Sequence, residues 1–366
     1  MKRVVFVYGG KSVENEISIL TCLKAYREFN KINKDVYLVY LDHQGNFYGG
    51  KGLTALENYP LKNGFKKVSF IKENERYYIK YPFRKIEFDL VLILGHGKNA
   101  EDGALSSYFE TLNIPYCYDD ISNVSLFLDK VKTKYVFNSL GVRQTKFIKL
   151  HRFEYKNDEN PSFDFSYPVI VKPSRLGSSI GINKANNYIE LHEAITRSFM
   201  YDDTIVIEEF IENKIEYNIA LLGYGNKMIT SSIEEVNHGN EVLSFYDKYD
   251  YSKGNEKRII CPLIDRCIKD EIELISKNIF TTLNLCGIYR FDFIYDVDGK
   301  TLYLNEVNSL PGSLSYYLFE EKGITMSDLI LMYIDFHLER RKNNDRLLST
   351  FQEGFASKVI SDKFCS

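Results

Sequence analysis

The stretch 288–308, IYRFDFIYDVDGKTLYLNEVN, predicts two strands joined by a turn at Asp298-Gly299. Side chains alternate between the two faces of a strand, so a hairpin folded about this turn places Asp292 opposite Glu306. Two carboxylates that face each other across a strand pair repel and destabilise the sheet. A sequence that carries both acids at these positions predicts that a cation lies between them.

The same alternation places Arg290 opposite Asn308, beside the two acids. Carboxylates and an amide oxygen are ligands that Mg²⁺ prefers, so we expect Asp292, Glu306 and Asn308 to hold Mg²⁺, for which Mn²⁺ can substitute. The alternative is a solvated hairpin face on which the acids meet only water. The other face of the hairpin is apolar and predicts packing, which favours the metal site.

A second segment, VIVKPSRLGSSIG (169–181), predicts a strand that leads Lys172 into a loop rich in glycine and serine. Such a loop can direct backbone N–H groups at phosphate oxygens, and the lysine adds a positive charge. It is not a Walker A loop, because GxxxxGK[ST] is absent and strand-like residues follow it. A plain turn between two strands is the alternative.

Three further segments are candidates for ligand binding. IVIEEFI (205–211) ends a strand with two acids and an apolar pair, which suits an adenosine but also an ordinary strand end. The loops GGKSVE (9–14) and GHGKNAEDG (95–103) follow predicted parallel strands, whose carboxyl ends are where open α/β sheets bind ligands. For His96, a structural imidazole and a substrate-site role are both open.

The pattern of elements changes along the chain. The first third alternates strands and helices, which predicts a mostly parallel sheet, with Ser12 as the N-cap of the first helix. Residues 51–84 predict short strands and surface loops, 121–140 predict a helical region, and hairpins follow from residue 167 onward. The last residues, from about 342, lose periodicity and predict a surface tail.

Composition narrows the class of protein. The chain has 366 residues, 44% of them hydrophobic and 27% charged, with a formal net charge of −3, so it offers no basic field for nucleic acid. The apolar run at its start is too short for a signal sequence, and nothing approaches the roughly 20 apolar residues of a membrane span. Six scattered cysteines predict reduced thiols and a cytoplasmic protein without a zinc site.

Taken together and in this order, the segments resemble the D-alanine–D-alanine ligase family of the ATP-grasp superfamily, from about residue 3 to 341. The matching motifs are GGKSVENEIS (9–18), HGKNAEDG (96–103), LDKVKTK (128–134), VKPSRLGSSIG (171–181), IEEFI (207–211), RFDF (290–293) and NEVNSLPG (305–312). The resemblance implies an α/β and α+β protein with an ATP-grasp fold and an N-terminal Rossmann-like parallel-sheet domain. The expected domains are a substrate domain (1–121), two ATP-grasp lobes (122–215 and 216–341) and a tail (342–366).

The resemblance also implies roles for individual residues. Among the expected catalytic residues, Glu14 binds the amino group of the first amino acid and Ser178 supports the catalytic network. Arg290 and the backbone amide of Gly312 are expected to stabilise the oxyanion. Expected ATP-binding residues are Lys130, Lys172, Ser179, Glu208, Phe210, Ile211 and Glu216. Expected substrate-binding residues are Glu14, His96, Ser313, Tyr317 and Leu318, and the expected ligands of two Mg²⁺ ions are Asp292, Glu306 and Asn308.

Two departures from the family pattern concern the substrate end. A family segment whose Lys and Tyr reach the γ-phosphate reads FYDKYDYSK (245–253) here, so Lys248 or Lys253, and Tyr249 or Tyr251, are alternatives for those roles. Tyr317 occupies the position at which relatives commonly place a serine for the second substrate's carboxylate. Either Tyr317 turns outward and Ser313 or Ser315 binds that carboxylate, or Tyr317 narrows the pocket.

Three functions follow from these expectations. The first is a cytoplasmic ATP- and magnesium-dependent ligase that joins two D-alanines through an acyl phosphate for peptidoglycan synthesis and cell wall biogenesis. The second is a related ligase for another amino acid or hydroxy acid, and the third is a non-catalytic nucleotide-binding homologue. The expected partners are amino acids and ATP, without nucleic acid or membrane, and a homodimer is left open. The missing GxGxxG disfavours an NAD oxidoreductase.

Overall fold

The computed structural model of the chain describes residues 2–156, 161–236 and 258–348. The N-terminal sheet is built from β1 (Val4–Gly9), β2 (Val36–Leu41), β3 (Phe47–Gly49), β4 (Lys66–Glu73), β5 (Arg76–Lys80), β6 (Lys85–Phe88), β7 (Leu90–Ile93) and β8 (Tyr116–Cys117). The strand order is β6-β5-β4-β3-β2-β1-β7-β8. Strand β1 pairs in parallel with β2 and β7, and β7 with β8, which confirms the predicted parallel pairing for these four strands. The sheet as a whole is mixed rather than mostly parallel. Strands β3 to β6 extend it as antiparallel hairpins.

The first helix, α1 (Asn15–Ile32), begins later than the sequence predicts. Its N-cap residue is Glu14, and no side chain caps the helix, so the prediction of Ser12 as N-cap is wrong. The Ser12 hydroxyl instead accepts a hydrogen bond from the backbone N–H of Glu14, at 3.0 Å. This contact stabilises the turn before the helix and holds Glu14 at its start. A second helix on this sheet is α2 (Ala104–Thr111).

A smaller central sheet follows, with β9 (Phe147–His151), β10 (Val169–Pro173), β11 (Asn183–Ala185) and β12 (Thr204–Glu209) in the order β11-β10-β12-β9. Helix α5 (Tyr188–Ser198) packs against β10 and β11. The helical region predicted over 121–140 consists of two helices, α3 (Ile121–Leu128) and α4 (Lys130–Ser139). Asp129 separates them because its backbone is extended and its side chain caps α4.

The C-terminal sheet has five antiparallel strands, β13 (Lys214–Tyr224), β14 (Lys227–Val236), β15 (Arg258–Ile260), β16 (Cys286–Asp296) and β17 (Thr301–Asn308). Their order is β15-β14-β13-β16-β17, which puts the hairpin predicted from sequence at one edge. The accompanying helices are α6 (Arg266–Thr282), α7 (Tyr317–Glu320) and α8 (Met326–Asn344). The domain boundaries after residues 121, 215 and 341 stay predictions, although α8 continues to Asn344.

Two properties of the described residues bear on the sequence expectations. None of their helices combines the length and apolar character needed to cross a membrane. Their five cysteines, Cys22, Cys117, Cys261, Cys267 and Cys286, are all free thiols.

Candidate functional site

A cavity of about 740 Å³ is bordered by the N-terminal loops, the central sheet and the C-terminal sheet. Nearly all of the residues that the sequence assigns to a site line this cavity. Its lining includes Glu14, His96, Lys130, Lys172, Ser178, Ser179, Glu208, Phe210, Ile211, Glu216, Arg290, Asp292, Glu306, Asn308, Gly312, Ser313 and Tyr317. Leu318 does not line this cavity, because its side chain is fully buried in the core of the N-terminal sheet and α8.

The hairpin of β16 and β17 has the predicted pairing at the end away from its turn. Asp292 lies opposite Glu306, and Arg290 lies opposite Asn308. Near the turn, however, Phe293 pairs with Leu304, so an uninterrupted ladder would bring Asn305 opposite Asp292. A register shift between Asp292 and Phe293 leaves Asn305 as an extra residue, as in a β-bulge. Both Asn305 and Glu306 therefore line the cavity.

A dense charge network covers this face of the hairpin. The Arg290 guanidinium donates to both oxygens of Asp292, at 2.6 and 2.7 Å, and Asn308 Nδ2 donates to Asp292 Oδ2 at 3.1 Å. Lys130 Nζ lies 3.8 Å from Glu306 Oε2. Desolvation would lower the pKa of Arg290, but the Asp292 carboxylate outweighs it, and the pKa stays well above its ordinary value. The arginine is therefore a permanent cation.

Two buried lysines, Lys172 of β10 and Lys134 of α4, lie against one buried glutamate, Glu208 of β12. Lys172 Nζ donates to Glu208 Oε2 at 2.8 Å, and Lys134 Nζ lies 3.4 Å from Glu208 Oε1. Burial would raise the pKa of Glu208, but the two lysines outweigh burial and lower it. Burial lowers the pKa of Lys134, and Glu208 opposes that fall. Two lysines beside one carboxylate suit a further anion such as a phosphate. The sequence predicts no role for Lys134, although this lysine lies inside the motif LDKVKTK (128–134).

Lys172 is also joined to the bulge, because its Nζ donates to Asn305 Oδ1 at 3.3 Å. The glycine- and serine-rich loop after it turns sharply, with Ser178 and Ser179 in left-handed conformations at φ +54° and +58°. A side chain at Gly177 would displace the Glu14 carboxylate, because a Cβ at this position would lie 2.8 Å from Glu14 Oε1.

Glu14 lies where that loop meets helix α1. Its Oε1 accepts a hydrogen bond from the Ser178 hydroxyl. Its Oε2 is buried and has no hydrogen-bond partner within the described part of the chain. Burial raises the pKa of Glu14, and Ser178 and Lys130 oppose that rise. A buried carboxylate oxygen without a partner suits an ammonium group of a ligand.

His96 and Glu101 occupy the second N-terminal loop. His96 Nε2 lies 3.0 Å from Thr21 Oγ1, and burial lowers the pKa of His96 to about 4, so its ring is neutral. These are contacts of a structural imidazole whose ring also borders the cavity. Glu101, which had been given no role, accepts from Gly97 N at 2.5 Å. Desolvation and the nearby Glu14 raise its pKa to about 8.

At the part of the cavity where the second substrate is expected, Tyr317 is not turned outward. Its hydroxyl donates to Glu234 Oε2 at 3.1 Å and accepts from Arg258 Nη1 at 3.3 Å. Ser313 lines the cavity, whereas Ser315 is fully buried outside its lining. The segment 245–253, with Lys248, Tyr249, Tyr251 and Lys253, lies outside the described residues. The sequence assigns no role to Arg258 or Glu234, although the acidic pair 234–235 within an apolar strand is a signal for a buried polar site.

The chain is similar to known proteins along almost its whole length. Residues 3–118 match the family described as D-ala D-ala ligase N-terminus, and residues 136–335 match D-ala D-ala ligase C-terminus. The D-alanine–D-alanine ligase of Thermosipho africanus is 35% identical over 352 residues, covering 94% of this chain and 95% of that protein.

Solved structures agree with this similarity. The D-alanine–D-alanine ligase of Helicobacter pylori has a TM-score of 0.73 at 26% identity, over 92% of this chain and 98% of that chain. The VanG D-Ala:D-Ser ligase of Enterococcus faecalis has a TM-score of 0.74 at 26% identity, over 92% and 99%. The expected ATP-grasp fold is thereby confirmed. Both halves of the sequence match one family, and the chain belongs to the D-alanine–D-alanine ligase family of ATP-dependent ligases.

Proposed function

We propose that this protein joins two D-alanine molecules in the cytoplasm, at the expense of ATP, to supply a dipeptide for peptidoglycan synthesis. The observation that carries the proposal is one cavity with two kinds of charged group. It combines Lys134 and Lys172 with the Arg290–Asp292–Glu306 face of the hairpin. Phosphorylating a carboxylate and then displacing the phosphate with an amine both build negative charge, which such groups stabilise.

In this proposal the first D-alanine lies beside Glu14. The free Oε2 of Glu14 accepts from the substrate ammonium, and Ser178 fixes the other oxygen. The substrate carboxylate then attacks the γ-phosphate of ATP, so that an acyl phosphate forms and ADP leaves. Holding the reactants in this geometry accounts for much of the acceleration in such a step.

The nucleotide lies between the two ATP-grasp lobes. Lys130, Lys172 and Ser179 contact the phosphates, and the acids Glu208 and Glu216 contact the adenosine. The adenine edge meets the backbone at Phe210 and Ile211, at the end of β12. Lys184 Nζ lies 4.0 Å from the centre of the Phe210 ring. The positive charge of Lys184 is therefore close to the proposed position of the adenine.

Asp292, Glu306 and Asn308 carry the carboxylate and amide oxygens that Mg²⁺ prefers, and they lie together on the cavity face of the hairpin, which supports a metal site there. We propose that these three residues hold the metal, with Mn²⁺ as a substitute. When bound, the metal supplies positive charge that polarises phosphate oxygens. Arg290, fixed by both oxygens of Asp292, stabilises the oxyanion together with the backbone N–H of Gly312 when the second amine attacks.

A second candidate is ligation of D-alanine to another acceptor. Tyr317, in place of the serine common among relatives, favours it, because the phenol changes the acceptor end of the cavity. The similarity to a D-Ala:D-Ser ligase makes D-serine the first acceptor to compare with D-alanine.

The experiment is product analysis by mass spectrometry with ATP, Mg²⁺ and a panel of D-alanine, D-serine, D-lactate, glycine and L-alanine. We expect D-alanyl-D-alanine together with one ADP and one phosphate per dipeptide, and no product when EDTA removes the metal. Preferential formation of a mixed product would favour the second candidate. ATP binding without ADP release for any acceptor would instead support a non-catalytic homologue and contradict the proposal.

A further inference from the structure

Glu234 is a charged residue in the C-terminal sheet that the reaction described above does not use. It lies in one row across four strands, because Glu234 pairs with Asn218, Asn218 with Asp292, and Asp292 with Glu306. Paired residues of neighbouring strands project from the same face, so Glu234 shares the cavity face with the proposed metal ligands. Two strand spacings, roughly 10 Å, separate it from Asp292.

The Glu234 side chain is completely buried, and each of its oxygens meets a cavity-lining group. Oε2 accepts from Asn218 Nδ2 and from the Tyr317 hydroxyl, both at 3.1 Å. Oε1 lies 3.3 Å from Arg258 Nη1. A buried carboxylate is costly unless it is paired and hydrogen-bonded, so Glu234 fixes these three neighbours in return.

The contacts of Arg258 leave more of its donors available than those of Arg290 and Lys172. Arg290 donates two hydrogen bonds to one carboxylate, and Lys172 is buried against Glu208. Arg258 is 37% exposed, and its contacts with Glu234 and Tyr317 both use Nη1. Among residues 2–156, 161–236 and 258–348, no acceptor lies within hydrogen-bonding distance of its Nη2 or Nε. A guanidinium fixed at one nitrogen, with further donors toward a cavity, matches a carboxylate.

We propose that Arg258 receives the α-carboxylate of the second amino acid, and that Glu234 and Tyr317 are positioning residues that orient its guanidinium. This inference rests on the proposed ligase function and names the anchor for its acceptor. The amine of the acceptor then lies on the Arg290 side, where it attacks the acyl carbon and displaces phosphate. The acceptor class is a small amino acid with a free α-carboxylate.

The same geometry explains how a tyrosine can serve carboxylate binding at position 317, where relatives commonly place a serine. The Tyr317 hydroxyl is directed at Glu234, and its ring centre lies 5.7 Å from the Arg258 guanidinium carbon. The phenol therefore acts on the carboxylate through Arg258. This arrangement differs from both alternatives drawn from the sequence, which are direct binding of the carboxylate by Ser313 or Ser315 and narrowing of the pocket by Tyr317.

The test is a competition between D-alanine and D-alaninamide as acceptors, with the two products quantified by mass spectrometry. D-Alaninamide lacks the carboxylate, so the product ratio reports on its anchor alone, independently of ATP and of the first subsite. We expect Arg258→Gln to reduce the preference for D-alanine by about ten-fold or more, as for one lost hydrogen bond between charged groups. Arg258→Lys should restore part of the preference, and Tyr317→Phe should give an intermediate loss.

Control variants distinguish a specific role of Arg258 from a general loss of positive charge and from misfolding. Lys24→Gln removes another cavity-lining cation, and Arg197→Gln removes an exposed arginine on α5, so both should keep the wild-type ratio. Arg258→Gln leaves the buried Glu234 carboxylate without its cation. The double variant Glu234→Gln/Arg258→Gln buries no charge, so we expect it to fold and also to lose the preference for D-alanine. Thermal unfolding of each variant establishes its fold.

The outcomes distinguish the inference from the function on which it rests. A wild-type protein that makes no dipeptide would overturn both. Dipeptide synthesis with an unchanged acceptor ratio in Arg258→Gln, or a loss seen in Lys24→Gln instead, would overturn the inference alone. The same holds if Arg258→Gln raises the KM for ATP and leaves the acceptor ratio intact, because the guanidinium would then serve the nucleotide.

Discussion

At the scale of single residues, Glu306 is the acid whose role is easiest to isolate. It faces Asp292 across the hairpin, and Lys130 Nζ lies 3.8 Å away. Glu306→Gln preserves size but removes a charge from the proposed metal site. We expect kcat to fall by about 10²-fold or more, with a higher Mg²⁺ requirement, because transition-state charge is less well stabilised. ADP release measured over a Mg²⁺ titration checks this.

The matched control is Asp298→Asn at the exposed turn of the same hairpin. Asp298 accepts from Asn213 Nδ2 at 2.7 Å and lies outside the cavity lining. The Asp298→Asn variant should retain the wild-type rate of ADP release. Wild-type turnover of Glu306→Gln at ordinary Mg²⁺ concentrations would rule out the metal assignment.

Glu101 gives a prediction about pH. Desolvation and repulsion from Glu14 raise its pKa from 4.5 to about 8 in the folded chain. An acid with a raised pKa holds its proton more tightly in the folded state. The folded state therefore loses relative stability as pH rises from about 4.5 to about 8. Glu101→Gln removes this loss because glutamine does not ionise.

The measurement is Tm against pH for the ligand-free wild-type and Glu101→Gln proteins. Their Tm difference should be smallest near pH 4.5, grow in favour of the variant up to about pH 8, and change little above that. A Tm difference that stays constant over this range would mean that Glu101 titrates alike in the folded and unfolded chains.

At the scale of elements, the start of α4 is fixed to the loop that carries Lys172. Asp129 accepts from Lys132 N at 3.2 Å and from the Ser174 hydroxyl at 2.7 Å. The backbone N–H of Lys130 donates to Ser174 O at 2.9 Å, and Lys130 Nζ donates to Leu176 O at 2.6 Å. The cap thus sets both the helix and the position of a proposed phosphate-binding lysine.

We expect Asp129→Ala to lower the free energy of unfolding by about 1–2 kcal/mol, as for a lost N-cap, and to raise the KM for ATP several-fold. Asp129→Asn, which can still cap, should recover most of the stability. Asp265→Ala removes the exposed N-cap of α6, away from the cavity, and should cost stability while the KM for ATP is unchanged. Equal KM values in Asp129→Ala and Asp265→Ala would contradict the coupling.

The elements also show what the sequence can and cannot predict. Alternation and the Asp-Gly turn predicted the opposition of Asp292 and Glu306 correctly. The extra residue at Asn305 could not be predicted, since a bulge depends on packing on both faces and has no local signature here. The contact of Glu234 with Tyr317 depends on β14 lying two strands from β16, and the order of strands is a tertiary property.

At the scale of the whole molecule, one buried carboxylate joins the N-terminal sheet to the C-terminal sheet. Asp119 follows β8 and accepts from Cys286 N at 3.0 Å and from the Tyr289 hydroxyl, both on β16. Arg340 of α8 donates to Asp119 Oδ1 and to Tyr118 O. These contacts keep the N-terminal loops, with Glu14, facing the hairpin with Arg290.

We therefore expect Asp119→Ala to be strongly destabilising, by about 3–5 kcal/mol, because it leaves the Arg340 cation buried without its partner. Arg340→Met in the Asp119→Ala background should recover part of the loss, since no charge then remains buried. Urea unfolding of the two single variants and the double variant checks both statements. Asp119 lies outside the cavity lining, so the folded fraction should keep its KM for ATP. Losses in the single variants that simply add in the double variant would show that Asp119 and Arg340 stabilise the two sheets independently.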